Sequence, residues 1–341
     1  MRSGLLGSRV VQIHPSLRCN LACAHCYSSS GPGFRQVLSP DRLLEQLAVL
    51  WDEGYEVISF SGGEPLMYPH LEAVAAAAKR MGFQINLITN GMLLTESRLE
   101  SMQSVVSRFG ISLDGRPDRH NRIRCNPKAF DKMVANLEQV RKAGIPFGFA
   151  HCVTKESIED LPWLLEFAIE QGAKLLQLHP LTFTGRAANL ETSMALNEAD
   201  LQRVWLIAEL FKVEASNRCA IQLDALPVQH LLEHKQDYRL LGHEGPMTCL
   251  SDFVNPLVID ERGRMRPFIY DMPEWMFISG SSDAWPSELK DFKQVGAMRL
   301  QGLFESLFSG LADDAPLILD WYSLMAERAR TMHPDRQLSS R

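Results

Sequence analysis

The chain has 341 residues, more than one average domain and enough for a single α/β barrel with a small appendage. Its 45% hydrophobic and 22% charged residues are ordinary soluble usage, which excludes a disordered or fibrous chain. The formal charge of −6, with 35 Lys and Arg against 41 Asp and Glu and no long basic run, argues against a grip on nucleic acid, and no run of ~18 apolar residues would cross a membrane.

At the N-terminus Arg2 and a short Gly4-Leu5-Leu6-Gly7 precede Arg9, which interrupts any signal-peptide core. Strand-like runs follow at 9–14, 56–60, 83–89, 109–113, 146–153 and 174–179, separated by amphipathic helices. One helix opens at Ser39-Pro40, a cap followed by proline in the first turn, and stops at Gly54. The next spans 69–81 and stops at Gly82; a third ends at Ala143-Gly144, and a fourth, after Ser157, at Gln171-Gly172. Six strand–helix units in succession imply parallel strands joined by right-handed crossovers. The expected fold is a partial (β/α)6 TIM barrel over residues 1–224, splayed because six units cannot close an eight-stranded barrel. The alternation fades after Asp224. Residues 225–341 are read as a small α+β extension, with a hairpin region at 248–279 whose turn is Glu261-Arg262-Gly263. A Ser/Gly/Pro-rich linker after Ser279, helical stretches at 290–309 and 317–332, and a frayed end from Asp335 complete it.

Seven cysteines, an odd number without crosslink-like spacing, suggest a cytoplasmic protein that uses thiols for metal binding or chemistry. Three of them, Cys19, Cys23 and Cys26, form a C-x3-C-x2-C array directly after the first strand. Thiolates spaced this tightly on one loop can converge on a single iron–sulfur cluster. Zinc is the rival, but it wants four protein ligands or three and an open position, and His25 is poorly placed between Cys23 and Cys26 to be the fourth. Ser61-Gly62-Gly63-Glu64-Pro65 ends the second strand, its glycines letting backbone approach a ligand closely. Thr89-Asn90-Gly91 closes the third strand and Ser112-Leu113-Asp114-Gly115 the fourth. Both set small polar groups on the face where barrel sites form, although such residues are also ordinary turn formers.

In this order the motifs resemble those of the radical S-adenosylmethionine (radical SAM) superfamily, whose signature loop is C-x3-C-x-aromatic-C after the first barrel strand, with His25 at the aromatic position. The resemblance implies one 4Fe–4S cluster held by Cys19, Cys23 and Cys26, with the fourth iron open to the amino and carboxylate groups of S-adenosylmethionine. Reductive cleavage would release a 5′-deoxyadenosyl radical that abstracts hydrogen from a substrate, while the protein supplies ligation, orientation and exclusion of water. It also puts Gly62, Gly63 and Glu64 at the methionyl amino group, Asn90 and Ser112 at ribose or carboxylate, and His25 among the cofactor contacts. His120-Asn121-Arg122-Ile123-Arg124 resembles a His-Asp-x-x-Arg run of peptide-modifying members, with Asn121 replacing the aspartate. Arg124 would pair with the cofactor carboxylate, a solvated surface arginine being the alternative. His179-Pro180-Leu181, leading to Gly185-Arg186-Ala187, resembles the family's late strand and a loop near adenine and substrate.

Cys249 and residues 256–268 resemble the opening hairpin of the SPASM or twitch extension, which binds auxiliary clusters in many members. Phe268 stands where those have cysteine, and no cysteine follows Cys249. One thiolate cannot hold a cluster that needs about four ligands, so the auxiliary clusters are expected to be lost and the hairpin kept. Cys125, Cys152, Cys219 and Cys249 remain; a thiol can give a hydrogen atom to a carbon radical, but buried structural cysteine is the plainer account. Phe268, Trp275 and Phe277 would form part of a substrate cover over the open barrel mouth, with packing against the barrel as the alternative. A ribosomally made peptide is the leading substrate, because the SPASM-like remnant is most frequent in peptide-modifying enzymes. Maturation of a small molecule or tetrapyrrole cofactor comes second. A non-catalytic iron–sulfur protein comes third, against which the intact Gly-Gly-Glu-Pro run stands. A reducing partner such as flavodoxin or ferredoxin is implied, and neither nucleic acid nor membrane is expected.

Overall fold

Alternation of apolar and polar residues along each short strand decides which face of the sheet receives the helices. The computed structural model describes residues 8–238, 248–280, 285–311 and 315–332. It opens with β1 (Val10–Ile13), α1 (Pro40–Asp52), β2 (Val57–Phe60), α2 (Leu71–Met81), β3 (Gln84–Thr89), α3 (Glu96–Met102), β4 (Arg108–Ser112), α4 (Pro117–Ile123) and α5 (Ala129–Lys142). There follow β5 (Phe147–Val153), α6 (Leu161–Gln171), β6 (Leu175–Pro180), α7 (Glu198–Ala215), β7 (Ala220–Leu223), β8 (Leu226–Pro227) and α8 (Val228–Glu233). The chain ends in α9 (Leu250–Phe253), β9 (Leu257–Ile259), β10 (Met265–Pro267), α10 (Trp285–Asp291), α11 (Ala297–Gly310), β11 (Ile318–Leu319) and α12 (Trp321–Thr331).

Among the described residues nine strands form one open sheet in the order β10-β9-β1-β2-β3-β4-β5-β6-β7, with every pair except β10–β9 parallel. Val11, Ile13, Ile58, Phe60, Ile85, Leu87, Ile111, Leu176 and Leu178 are buried in the core. The alternate residues Gln12, Ser59, Asn86, Ser112, Cys152, Gln177 and His179 are half-buried on the opposite face. A barrel wall that is apolar outside and polar inside therefore follows from the period of two. The glycines at Gly82 and Gly172 end α2 and α6 in the left-handed conformation. Ser39 precedes Pro40 but makes no side-chain cap bond.

Three features depart from the sequence expectation. A seventh parallel strand, β7, extends the wall beyond the six repeats; Ala-Ile-Gln-Leu is too short and mixed to announce a strand. The C-terminal hairpin is part of the same sheet. β9 runs parallel to β1 with Val11, Gln12 and Ile13 opposite Leu257, Val258 and Ile259, and β10 closes the edge. An open β1 edge would present unpaired backbone groups, and β9 satisfies them. Lastly, Phe268, Trp275 and Phe277 are not arranged as an apolar cover. The Phe268 ring lies 6.0 Å from Phe304 on α11, Trp275 Nε1 donates to Ala329 O at 3.1 Å on α12, and Phe277 lies under the guanidinium groups of Arg264 and Arg266. Packing within the C-terminal region claims all three. β8 pairs with β11, tying the start of that region to its end. The expected linker residues 281–284 and the end from Asp335 lie outside the described residues. Among the described residues no helix is long and apolar enough to cross a membrane.

Candidate active site

The loop after β1 is held by backbone bonds from several directions. Cys19 N donates to Gly31 O at 3.1 Å, Ala24 N to Ile123 O at 2.8 Å, and Arg186 N to Cys26 O at 2.9 Å. Arg186 Nε also reaches Cys23 O at 2.9 Å. Gly185 sits so close that a Cβ there would stand 2.2 Å from Tyr27 O. The Gly185-Arg186 turn thus clamps the back of the cysteine loop, a role its sequence did not reveal. Within the loop Cys19, Leu21 and Cys23 are buried as one group, with Cys26 and Met92 packed on it. Burial, opposed by the hydrogen bond from Leu21 N, pushes the Cys19 thiol up to about 12, and burial likewise raises Cys23. Among the described residues no three His, Cys, Asp or Glu side chains are grouped as for a single metal ion. The donor chemistry, three soft thiols in one packed group, suits an iron–sulfur cluster, in which separate irons each take a thiolate.

The motifs at the other strand ends lock onto this loop. Gly62 has φ +95°, and a Cβ there would meet Ser16 O at 2.8 Å; on Gly63 it would stand 2.2 Å from Arg18 O. Gly63 N donates to Ser16 O and Glu64 N to Arg18 O, each at 2.9 Å. The close approach expected toward a ligand is thus, at these Cβ positions, an approach to the cysteine loop itself. Gly63→Ala is expected to displace that loop, at a cost of about 1–3 kcal/mol for overpacking against rigid backbone. A thermal melt of the variant indistinguishable from wild type would refute this.

Glu64 is buried, and its carboxylate accepts from Thr89 Oγ1 at 2.7 Å, Leu66 N at 3.2 Å and Asn90 N at 2.9 Å. Burial raises its pKa while those donors lower it, with a net rise. It ties the end of β2 to that of β3. Asn90 Nδ2 in turn donates to Asn20 Oδ1 at 2.8 Å and approaches Cys19 Sγ at 4.0 Å. Ser112 ends β4, half-buried on the polar face.

Next along the wall, Arg124 Nε donates to Asp114 Oδ2 at 2.6 Å, and His25 Nε2 lies 3.4 Å from the same oxygen. The Arg124 side chain is 11% exposed, so the solvated alternative does not hold. Burial alone would raise Asp114, but the Arg124 guanidinium and His25 hold its carboxyl well below the usual range. His120 Nδ1 accepts from Asp114 N at 3.2 Å, and burial, then Arg124, lowers His120 to about 4. On β6, His179 Nδ1 meets Asp224 Oδ2 at 2.5 Å; burial opposes its charge, but Asp224 raises its pKa overall. Cys152, register partner of His179, shares the polar face. Cys219 is buried in the core, Cys125 is exposed at φ +52°, and Cys249 caps α9. Tyr270, from the C-terminal region, stacks on His14 at 4.6 Å and stands edge-on to Tyr27 at 5.9 Å, bringing that region to the cysteine loop.

Residues 13–168 match the family model described as Radical SAM superfamily. The chain is 31% identical over 205 residues to Fe-coproporphyrin III synthase of Methanosarcina barkeri, covering 59% of this chain and 51% of that protein. It is 28% identical over 223 residues to PqqA peptide cyclase of Ruegeria pomeroyi, covering 64% of this chain and 58% of the relative. The chain thus spans little more than half the length of these curated relatives. Among solved structures, Streptococcus suis SuiB bound to S-adenosylmethionine superposes with TM-score 0.66 at 16% identity, over 84% of this chain and 65% of that one. anSMEcpe with bound AdoMet and the Kp18Cys peptide superposes with TM-score 0.64 at 19% identity, over 96% and 91%. At these identities the likeness is one of fold: a splayed, unclosed barrel.

Proposed function

The chain carries a radical SAM superfamily domain over residues 13–168, and from that premise we propose that it is a radical SAM enzyme whose Cys19, Cys23 and Cys26 hold its cluster. The family uses a 4Fe–4S cluster and S-adenosylmethionine. When bound, these supply a 5′-deoxyadenosyl radical for hydrogen abstraction from a substrate. The observation that carries the reading is the packing of three thiols at the C-terminal end of β1, onto which the ends of β2, β3 and β4 are tied. Gly62, Gly63, Asn90 and Ser112 border the cofactor, Glu64 holds these strand ends together, and His25 and Arg124 complete the wall. The polar inner face orients the substrate, and the apolar outer face excludes water from the sheet. Residues 1–224 form the catalytic body, and 225–341 a degenerate SPASM-like extension without auxiliary clusters, since no cysteine follows Cys249.

A ribosomally made peptide is the substrate class we favour. PqqA peptide cyclase among the relatives supports it, as does the likeness in fold to SuiB and anSMEcpe, each solved with a peptide. The 31% identity to Fe-coproporphyrin III synthase supports a tetrapyrrole as the second reading. Anaerobic reconstitution is expected to give about four iron per chain. Dithionite or a flavodoxin or ferredoxin system should then yield 5′-deoxyadenosine and methionine slowly, even without substrate. Iron near twice that amount would overturn the single-cluster reading. A full cluster with no 5′-deoxyadenosine would make the protein a non-catalytic iron–sulfur protein. Mass spectrometry of candidate precursor peptides and of iron coproporphyrin after turnover separates the two substrates.

A further inference from the structure

The Arg124–Asp114 pair lies between the cysteine loop and the polar wall, and its geometry differs from that of a residue waiting only for a ligand. Arg124 Nη1 donates to Cys23 Sγ at 3.8 Å while Nε holds Asp114 at 2.6 Å. The side chains are 11% and 4% exposed, so their charges act with little screening by water. Asp114 is fixed in turn by Cys152 N, which donates to Oδ1 at 3.3 Å, and by His25 at 3.4 Å. We propose that this pair sets the reduction potential of the cluster through Cys23, with Arg124 raising the potential and Asp114 lowering it. The inference rests on the reading that Cys23 is a cluster ligand.

Reduction adds one electron to the cluster, and hydrogen bonds and cations at its sulfurs stabilise that added charge. A guanidinium on the Cys23 sulfur therefore favours the reduced state. A buried carboxylate two bonds of contact away opposes it and holds the guanidinium in place. Removing either charge should move the midpoint, and in opposite directions. A residue with a purely structural role would not produce opposite signs.

The test is a redox titration of the reconstituted protein, followed by electron paramagnetic resonance and made without S-adenosylmethionine, so that cofactor affinity does not enter. Arg124→Gln is expected to shift the reduction equilibrium at least tenfold toward the oxidised cluster, about 59 mV downward for one electron. Asp114→Asn is expected to shift it upward, and the double variant, with a neutral pair, to return near wild type. Arg124→Lys, which keeps the charge while losing the planar fork, is expected to hold the midpoint nearer wild type than Arg124→Gln does, and should Arg124→Gln lose its iron, Asp114→Asn carries the signed arm. Neutralising single variants that load iron normally yet keep the wild-type midpoint, or shift it in the same direction, overturn the proposal. A wild-type protein that takes up no iron overturns the cluster reading instead.

Discussion

Replacing Cys19, Cys23 and Cys26 together by alanine is expected to remove essentially all iron from the reconstituted protein and all cleavage of S-adenosylmethionine. The loop should survive the change, because its conformation depends on backbone partners: Gly31 O, Ile123 O and the Gly185-Arg186 turn. The truncations remove two small buried groups, at Cys19 and Cys23, and one half-buried group at Cys26, each at no more than about 1 kcal/mol, the scale of minor core deletions. The variant should therefore melt cooperatively while binding no cluster, which separates loss of ligands from loss of fold. Alanine at Cys125, Cys152, Cys219 and Cys249 is the matched control and should leave iron at about four per chain. Iron retained by the triple variant, or lost from the control, would place the ligands elsewhere.

Ending the chain after Asp224 is expected to unfold the barrel. A simple cover could be removed without harm; β9 cannot, since it is the neighbour of β1. Leu257, Val258 and Ile259 are fully buried, and His14 N donates to Ile259 O at 2.8 Å. The Tyr55 hydroxyl donates to Val254 O at 2.7 Å and Gln46 Nε2 to Gly263 O at 2.8 Å, both from inside the core. Truncation leaves these donors without partners, at about 1–3 kcal/mol each, and exposes apolar side chains of β1 and α1 at about 1.5–3 kcal/mol each. That total is comparable to the whole stability of an ordinary domain, about 5–15 kcal/mol. Circular dichroism and melting of the truncated protein test this. A cooperative melt near that of the full chain, with normal iron uptake, would show that the hairpin is dispensable and restore the covering role.

The sequence alone settles what local spacing decides. The cysteine array lies within eight residues of chain, the first six strands show the period of apolar residues, and helix ends such as Gly82 and Gly172 need only their own backbone. The roles of the motif residues were another matter, because each depends on what lies opposite. Gly63 is small because Arg18 O is in the way, and Glu64 is acidic because two strand ends offer it N–H and O–H donors. Arg124 is buried because Asp114 and Cys23 receive it. The placement of β9 beside β1, and of Tyr270 on His14, was likewise decided only in three dimensions. A three-residue strand carries too little periodicity to declare its partner, and pairing between segments so far apart in the chain is settled by which sheet edge is open and which side chains can be buried there.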